Sequence, residues 1–198
     1  MIYEEFAAPA AVRREVEAFW RFRLEDHEPQ AVRHIIPPDG AVNLCLSREA
    51  DGALRVSAAG PSDRARVTTV TRGTLHVGAR LRPGGALRLP GETPMTLAHG
   101  GRGEAQLDAR LAGWMKAALA PLLDGGADAA GRAMAGWPFG RAAPDDMVEA
   151  VASRLIAAHG AARIEEMARE AGVSERTLRR RFAAAVGLPP KAFARLRR

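Results

Sequence analysis

The sequence predicts an α+β protein: a small antiparallel β barrel or sandwich with a helical extension, followed by an all-α helix-turn-helix segment. Three observations carry this. Short runs between residues 17 and 82 alternate apolar and polar side chains with a period of two, and turn dipeptides separate them. After Gly103 the apolar spacing changes to three and four. Beyond residue 162 two short apolar stripes flank a glycine, and the chain turns basic.

A short amphipathic stretch after Pro9, carrying Val12 and Val16, reads as one or two helical turns. In AFWRFRL, Ala18, Trp20, Phe22 and Leu24 alternate with Phe19, Arg21 and Arg23, the pattern of a half-buried strand. Strands follow at VRHIIP and AVNLCLS, with Pro37-Pro38-Asp39-Gly40 as the turn between them. Asp51-Gly52, a hairpin dipeptide, leads into ALRVSA. RVTTV and TLHVGARLR complete six strands; in the last, Leu75, Val77, Ala79 and Leu81 alternate with His76, Gly78, Arg80 and Arg82. Short strands with polar turns point to a barrel or sandwich over residues 17–82.

Leu107, Leu111, Trp114, Met115, Ala118 and Leu122 then share one face of a helix ending near Leu123, where Gly125-Gly126 stops it. Residues 124–144, rich in Gly, Ala and Pro, read as a linker with one short helix, anchored by Met134, Trp137 and Phe139. The next helix spans Asp145 to His159: a carboxylate caps it, Val148, Val151, Leu155 and Ile156 form its apolar face, and Gly160 ends it. The chain thus divides into a β-rich unit with a helical extension, 1–142, and a helical segment, 143–198.

Composition bounds the function. With 47% hydrophobic and 26% charged residues the chain is that of a folded protein, and no apolar run reaches the roughly 18–20 residues of a membrane-spanning helix. The acidic start lacks a secretion-signal layout, and the single cysteine, Cys45, cannot form an intrachain disulfide; both fit a cytoplasmic protein with no membrane partner. The net charge of +6 is localised. Residues 163–198 hold ten basic and four acidic side chains, and the first 162 are balanced. That asymmetry suits a nucleic-acid-binding segment.

The basic segment has an internal plan. Ile164, Met167, Ala168 and Ala171 make one apolar face, with Ala168 small where two helices cross. Gly172 follows at the point of chain reversal, Val173 plugs the corner, and Ser174 is an N-cap for a second helix. Leu178 and Phe182 lie four apart on that helix, with Val186 beyond. Arg176, Arg179 and Arg180, at i, i+3 and i+4, share the opposite face. An arginine fork can bond a guanine edge or grip phosphate, and a major groove admits one helix. Glu175 and Thr177 sit at the helix start within reach of base edges, while Arg181 flanks the apolar stripe, placed for phosphate or for packing.

These residues carry a resemblance. IEEMAREAGVSERTLRRRFAAAVGLPPKAFARLRR resembles the first half of the DNA-binding domain of the AraC/XylS family of transcription regulators: a recognition helix, a Gly-Leu-x-Pro turn and the start of a linker helix. The resemblance implies double-stranded DNA as partner, base-facing positions at Arg176, Arg179 and Arg180, and backbone-side positions at Lys191 and Arg195, with Ser174, Glu175, Thr177 and Arg181 beside them. IIPPDGAVNLCLS and VGARLRPGGALRLPG are similar to segments of a β-rich domain that precedes this module in some AraC-type regulators. There Asp39-Gly40 and Arg82-Pro83-Gly84-Gly85 echo the blocks LPDGCVDLVF and GVRFRPGGA. This implies sensing of an unknown small-molecule effector, or assembly, with a homodimer as one form. The family module has a second helix-turn-helix after the linker helix, so the resemblance covers half of it.

Nothing else reads as chemistry. His27, His34, His76, His99 and His159 show no paired metal-ligand spacing, and Gly84-Gly85 lacks a phosphate-loop context. Cys45 reads as a packed thiol, Trp20, Phe22 and Trp114 as core, and Asp39 and Arg82 as a turn and salt bridge. No catalytic residue, metal site or cofactor is predicted, and the chain reads as a non-enzyme. Two alternatives stay open: a truncated ligand-binding or assembly protein that does not bind DNA, and a cupin-like enzyme.

Overall fold

A computed structural model describes residues 1–84, 88–140 and 145–198. The predicted domain boundary at 142/143 and Gly85 of the Arg82-Pro83-Gly84-Gly85 block lie outside the described residues. Among those described, the protein is α+β, with eight strands and seven α-helices.

The strands are β1 (Ile2–Ala7), β2 (Val16–Arg23), β3 (Ala31–Ile36), β4 (Asn43–Arg48), β5 (Leu54–Ala59), β6 (Arg66–Thr71), β7 (Leu75–Leu81) and β8 (Gly101–Gly103). β2 to β7 match the six runs of period-two alternation. β1, β2, β7, β4, β5 and β8 form one antiparallel sheet in that order, and β3 and β6 pair antiparallel as a second. Val12 and Val16 are a correction. They are buried, but residues 10–15 form hydrogen-bonded turns rather than a helix, and Val16 already belongs to β2. A register shift between Val16 and Ala18 makes Glu17 an extra residue, so Val16 and Phe19 reach the same side of the sheet.

That side is the core. Phe19, Leu44, Leu46, Val56, Ala58, Val77 and Ala79 are buried against Leu111, Met115 and Leu119 of α2 (Ala109–Leu119). α1 (Pro94–Leu97) and α3 (Ala127–Ala135) complete this half. The stretch read as a linker is, as far as Gly140, built into the core instead. Met134 and Trp137 are buried, and the Trp137 ring meets Trp114 edge-on at 4.5 Å and Phe139 at 5.4 Å. Three large apolar anchors outweigh the glycine-rich composition.

The sheet's other side carries Trp20, Phe22, Cys45, Ser47, His76, Gly78 and Arg80, and β3 comes over it, its His34 ring 4.8 Å from that of Phe22. Asp39 does form a turn: its carboxylate accepts from the Ala41 amide at 3.2 Å and the Asn43 side chain at 2.9 Å. Its cationic neighbour is Arg80, at 3.7 Å, rather than Arg82, whose Nε donates to the Arg13 carbonyl. Both arginines have the same parity along β7, so alternation does not choose between them; Arg80 lies in the strand and Arg82 just past its end.

Four helices follow: α4 (Asp146–Ala157), α5 (Ile164–Glu170), α6 (Glu175–Val186) and α7 (Pro190–Arg195). Val148, Val151, Leu155, Met167, Ala168, Leu178, Phe182, Val186 and Phe193 form their own buried cluster, with the Phe182 and Phe193 rings 5.5 Å apart. They also lean on the β-rich half. α1 packs on α6, and Arg195 reaches Asp63 at 3.3 Å. No helix among the described residues is long and apolar enough to cross a membrane.

Candidate nucleic-acid interface

The helical plan read from the sequence forms locally as its residue types require. Gly172 takes a positive φ of 65°, and its amide and that of Val173 bond back to the Arg169 and Ala168 carbonyls at 3.1 and 3.0 Å. The chain is thereby reversed between α5 and α6. Ser174, in extended conformation, caps α6: its Oγ accepts from the Thr177 amide at 3.2 Å and lies 2.9 Å from the Thr177 hydroxyl.

Inside α6 the stripe of Leu178, Phe182 and Val186 is almost fully buried. A helix that buries one stripe must present the opposite one, which carries Arg176 and Arg180; Arg179 stands on the flank of the stripe, and all three are exposed. Their local partners differ. Arg179 pairs with Glu175 one turn earlier. Arg176 and Arg180 have no hydrogen-bond or ion-pair partner among the described residues.

The remaining candidates separate from this face. Arg181 donates from Nε and Nη2 to both oxygens of Asp145, at 2.9 and 2.7 Å, which occupies its planar fork inside the helical cluster. Lys191 is exposed on the first turn of α7 with no partner among the described residues. Arg195, at the end of that helix, is held by Asp63. The structure thus leaves Arg176, Arg179 and Arg180 exposed on α6, pairs Glu175 with Arg179, places Ser174 and Thr177 in the cap, and ties Arg181 and Arg195 to carboxylates elsewhere.

Asp145 and Asp63 are the residues that the sequence reading missed in these roles. Asp145 was visible as a cap, and it does accept from the Val148 amide at 3.1 Å. Its ion pair lies 36 residues away and leaves no periodic trace. Asp63 stands in a turn of the β-rich half, 132 residues from its partner, next to His99 at 3.5 Å.

No protein-family model, curated protein or solved structure matches this chain.

Proposed function

We propose that this chain is a sequence-specific, DNA-binding transcription regulator of AraC type that works in the cytoplasm on double-stranded DNA. In this reading the β-rich half is a small sandwich-like unit that senses a small molecule or mediates assembly, and the all-helical segment is half of the family's DNA-binding module. Arg176 and Arg180, helped by Arg179, enter the major groove, with Glu175 and Thr177 at the base edges and Lys191 on a phosphate. A homodimer would present two such helices to two half-sites.

The observation that carries the reading is the exposed, unpaired Arg176 and Arg180 on the face of α6 directly opposite its buried stripe. Titration of the chain against pooled random duplexes at about 50 and 200 mM salt tests it. The expected result is binding that weakens steeply with salt and weakens further in Arg176→Ala and Arg180→Ala. Affinity insensitive to salt and to both substitutions overturns it.

One observation favours a second reading, an assembly or ligand-binding protein without DNA. Arg179, Arg181 and Arg195 already hold carboxylates of the same chain, which removes part of the basic surface. Absence of salt-sensitive binding in the same titration is its expected outcome.

A further inference from the structure

A buried polar atom without a partner costs about 1–3 kcal/mol, so each such atom calls for a trapped water or a bound molecule. Among the described residues seven side-chain atoms are of this kind, and four of them, on Glu17, Trp20, His76 and Arg80, belong to the adjacent strands β2 and β7. Arg80 is well served through its other nitrogens, which reach Glu5 and the Tyr3 hydroxyl at 3.2 Å each. Trp20 Nε1 and His76 Nε2 are not, and both belong to the sheet face turned away from the helices.

The surroundings of these two atoms are built. Trp20 stands opposite Gly78, where a Cβ would fall 2.4 Å from the indole ring and 2.6 Å from the Leu44 carbonyl. Only glycine lets the indole rest on β7. His76 fixes its ring through Nδ1, 2.7 Å from Ser47 Oγ, which leaves Nε2 as the free end. Phe22 lies between two imidazoles, 4.8 Å from His34 on β3 and 6.1 Å from His76. Cys45 is opposite Gly78 on the other flank.

We propose that this face, under the β3–β6 pair, binds a small, planar, uncharged molecule that accepts a hydrogen bond from Trp20 Nε1 and exchanges one with His76 Nε2. A heteroaromatic amide or lactam has the matching carbonyl and N–H. The proposal rests on the reading of the β-rich half as a sensor. Flat aromatic walls select a planar ligand. Arg80, the cation of β7 on this face, already holds Glu5 and Asp39 and so offers an anion no free counter-charge. Burial likewise holds the His76 imidazole below its ordinary value and pushes the Cys45 thiol up to about 11, so the space disfavours charge.

The test uses the full chain labelled on its three tryptophan indoles, with Trp20→Phe assigning one signal. Neutral planar amides and lactams, nicotinamide among them, are titrated to about millimolar concentration. At least one should move the Trp20 indole signal, bind about tenfold more weakly to His76→Phe and, by calorimetry, to Trp20→Phe, and outbind its carboxylate analogue by a similar factor. If no compound moves that signal in the folded protein, or if both substitutions leave affinity unchanged, trapped water alone satisfies these atoms and the proposal fails. A ligand that binds here without altering DNA affinity overturns the sensor reading and keeps the site.

Discussion

Arg181 holds both carboxylate oxygens of Asp145, so the cap of α4 and the middle of α6 are joined by one bidentate ion pair. The same carboxylate caps the Val148 amide, and the two roles are mechanically linked. Asp145→Ala removes both at once. We expect a loss of about 1–2 kcal/mol, from the cap together with a partly exposed charge pair. Arg181→Ala should cost less, about 0.5–1 kcal/mol, because the cap survives. Urea unfolding of the two single variants and the double variant gives the coupling directly. Equal losses in both single variants would show that the cap is not independent of the arginine.

The pair of Arg179 with Glu175 makes the opposite kind of prediction, for binding instead of stability. Glu175 neutralises one of three exposed arginines of α6, and in the proposed DNA-binding role it would repel phosphate. Glu175→Gln keeps the size of the side chain and frees Arg179. Affinity for arbitrary duplex should rise, and the salt slope should steepen by about 0.9 for one further phosphate contact. A titration in which Glu175→Gln weakens binding to every sequence would mean that Glu175 contacts a base or orders Arg179 for the groove.

These two pairs also show what the sequence could disclose. Leu178 and Phe182 were legible because a helix repeats every three to four residues, and Ser174 and Gly172 because a cap and a positive φ demand particular residue types. Alternation revealed β2 to β7 for the same reason. β1 escaped because an edge strand with mostly exposed side chains has no apolar face to betray it, and β8 because Gly-Arg-Gly has almost no side chains to pattern. Long-range partners carry no period. Asp145, Asp63 and the substitution of Arg80 for Arg82 beside Asp39 were set by tertiary packing alone.

His76 makes stability depend on pH. Burial keeps its folded-state value below the ordinary 6.5, the His34 imidazole pushes in the same direction, and Glu49 opposes them. The unfolded chain therefore takes up a proton before the native one does, and acid favours unfolding. This contribution is level above about pH 6.5 and falls away as pH drops through that value towards the lower, native one. Urea midpoints measured from neutral to mildly acidic pH should decline less steeply in His76→Gln than in the parent. Parallel curves would place the imidazole in contact with water.

The joint between the two halves supplies the last prediction. Gly187 ends α6 with φ near 85°, and a Cβ there would lie 2.5 Å from the Pro94 carbonyl and 2.6 Å from the Pro61 ring. Gly187→Ala therefore meets two obstacles, an unfavourable backbone region and backbone atoms of α1 that cannot swing aside. The first costs about 1 kcal/mol within the helical cluster. The second acts only across the joint, so it is relieved if the helices move away from the β-rich half. Gly187→Ala should accordingly lower overall stability while leaving the Phe182 and Phe193 packing intact, and should expose the α1 surface to proteolysis. Helical circular dichroism with limited digestion separates these effects. Loss of helix content in step with digestion would show that the four helices depend on the joint for their own fold.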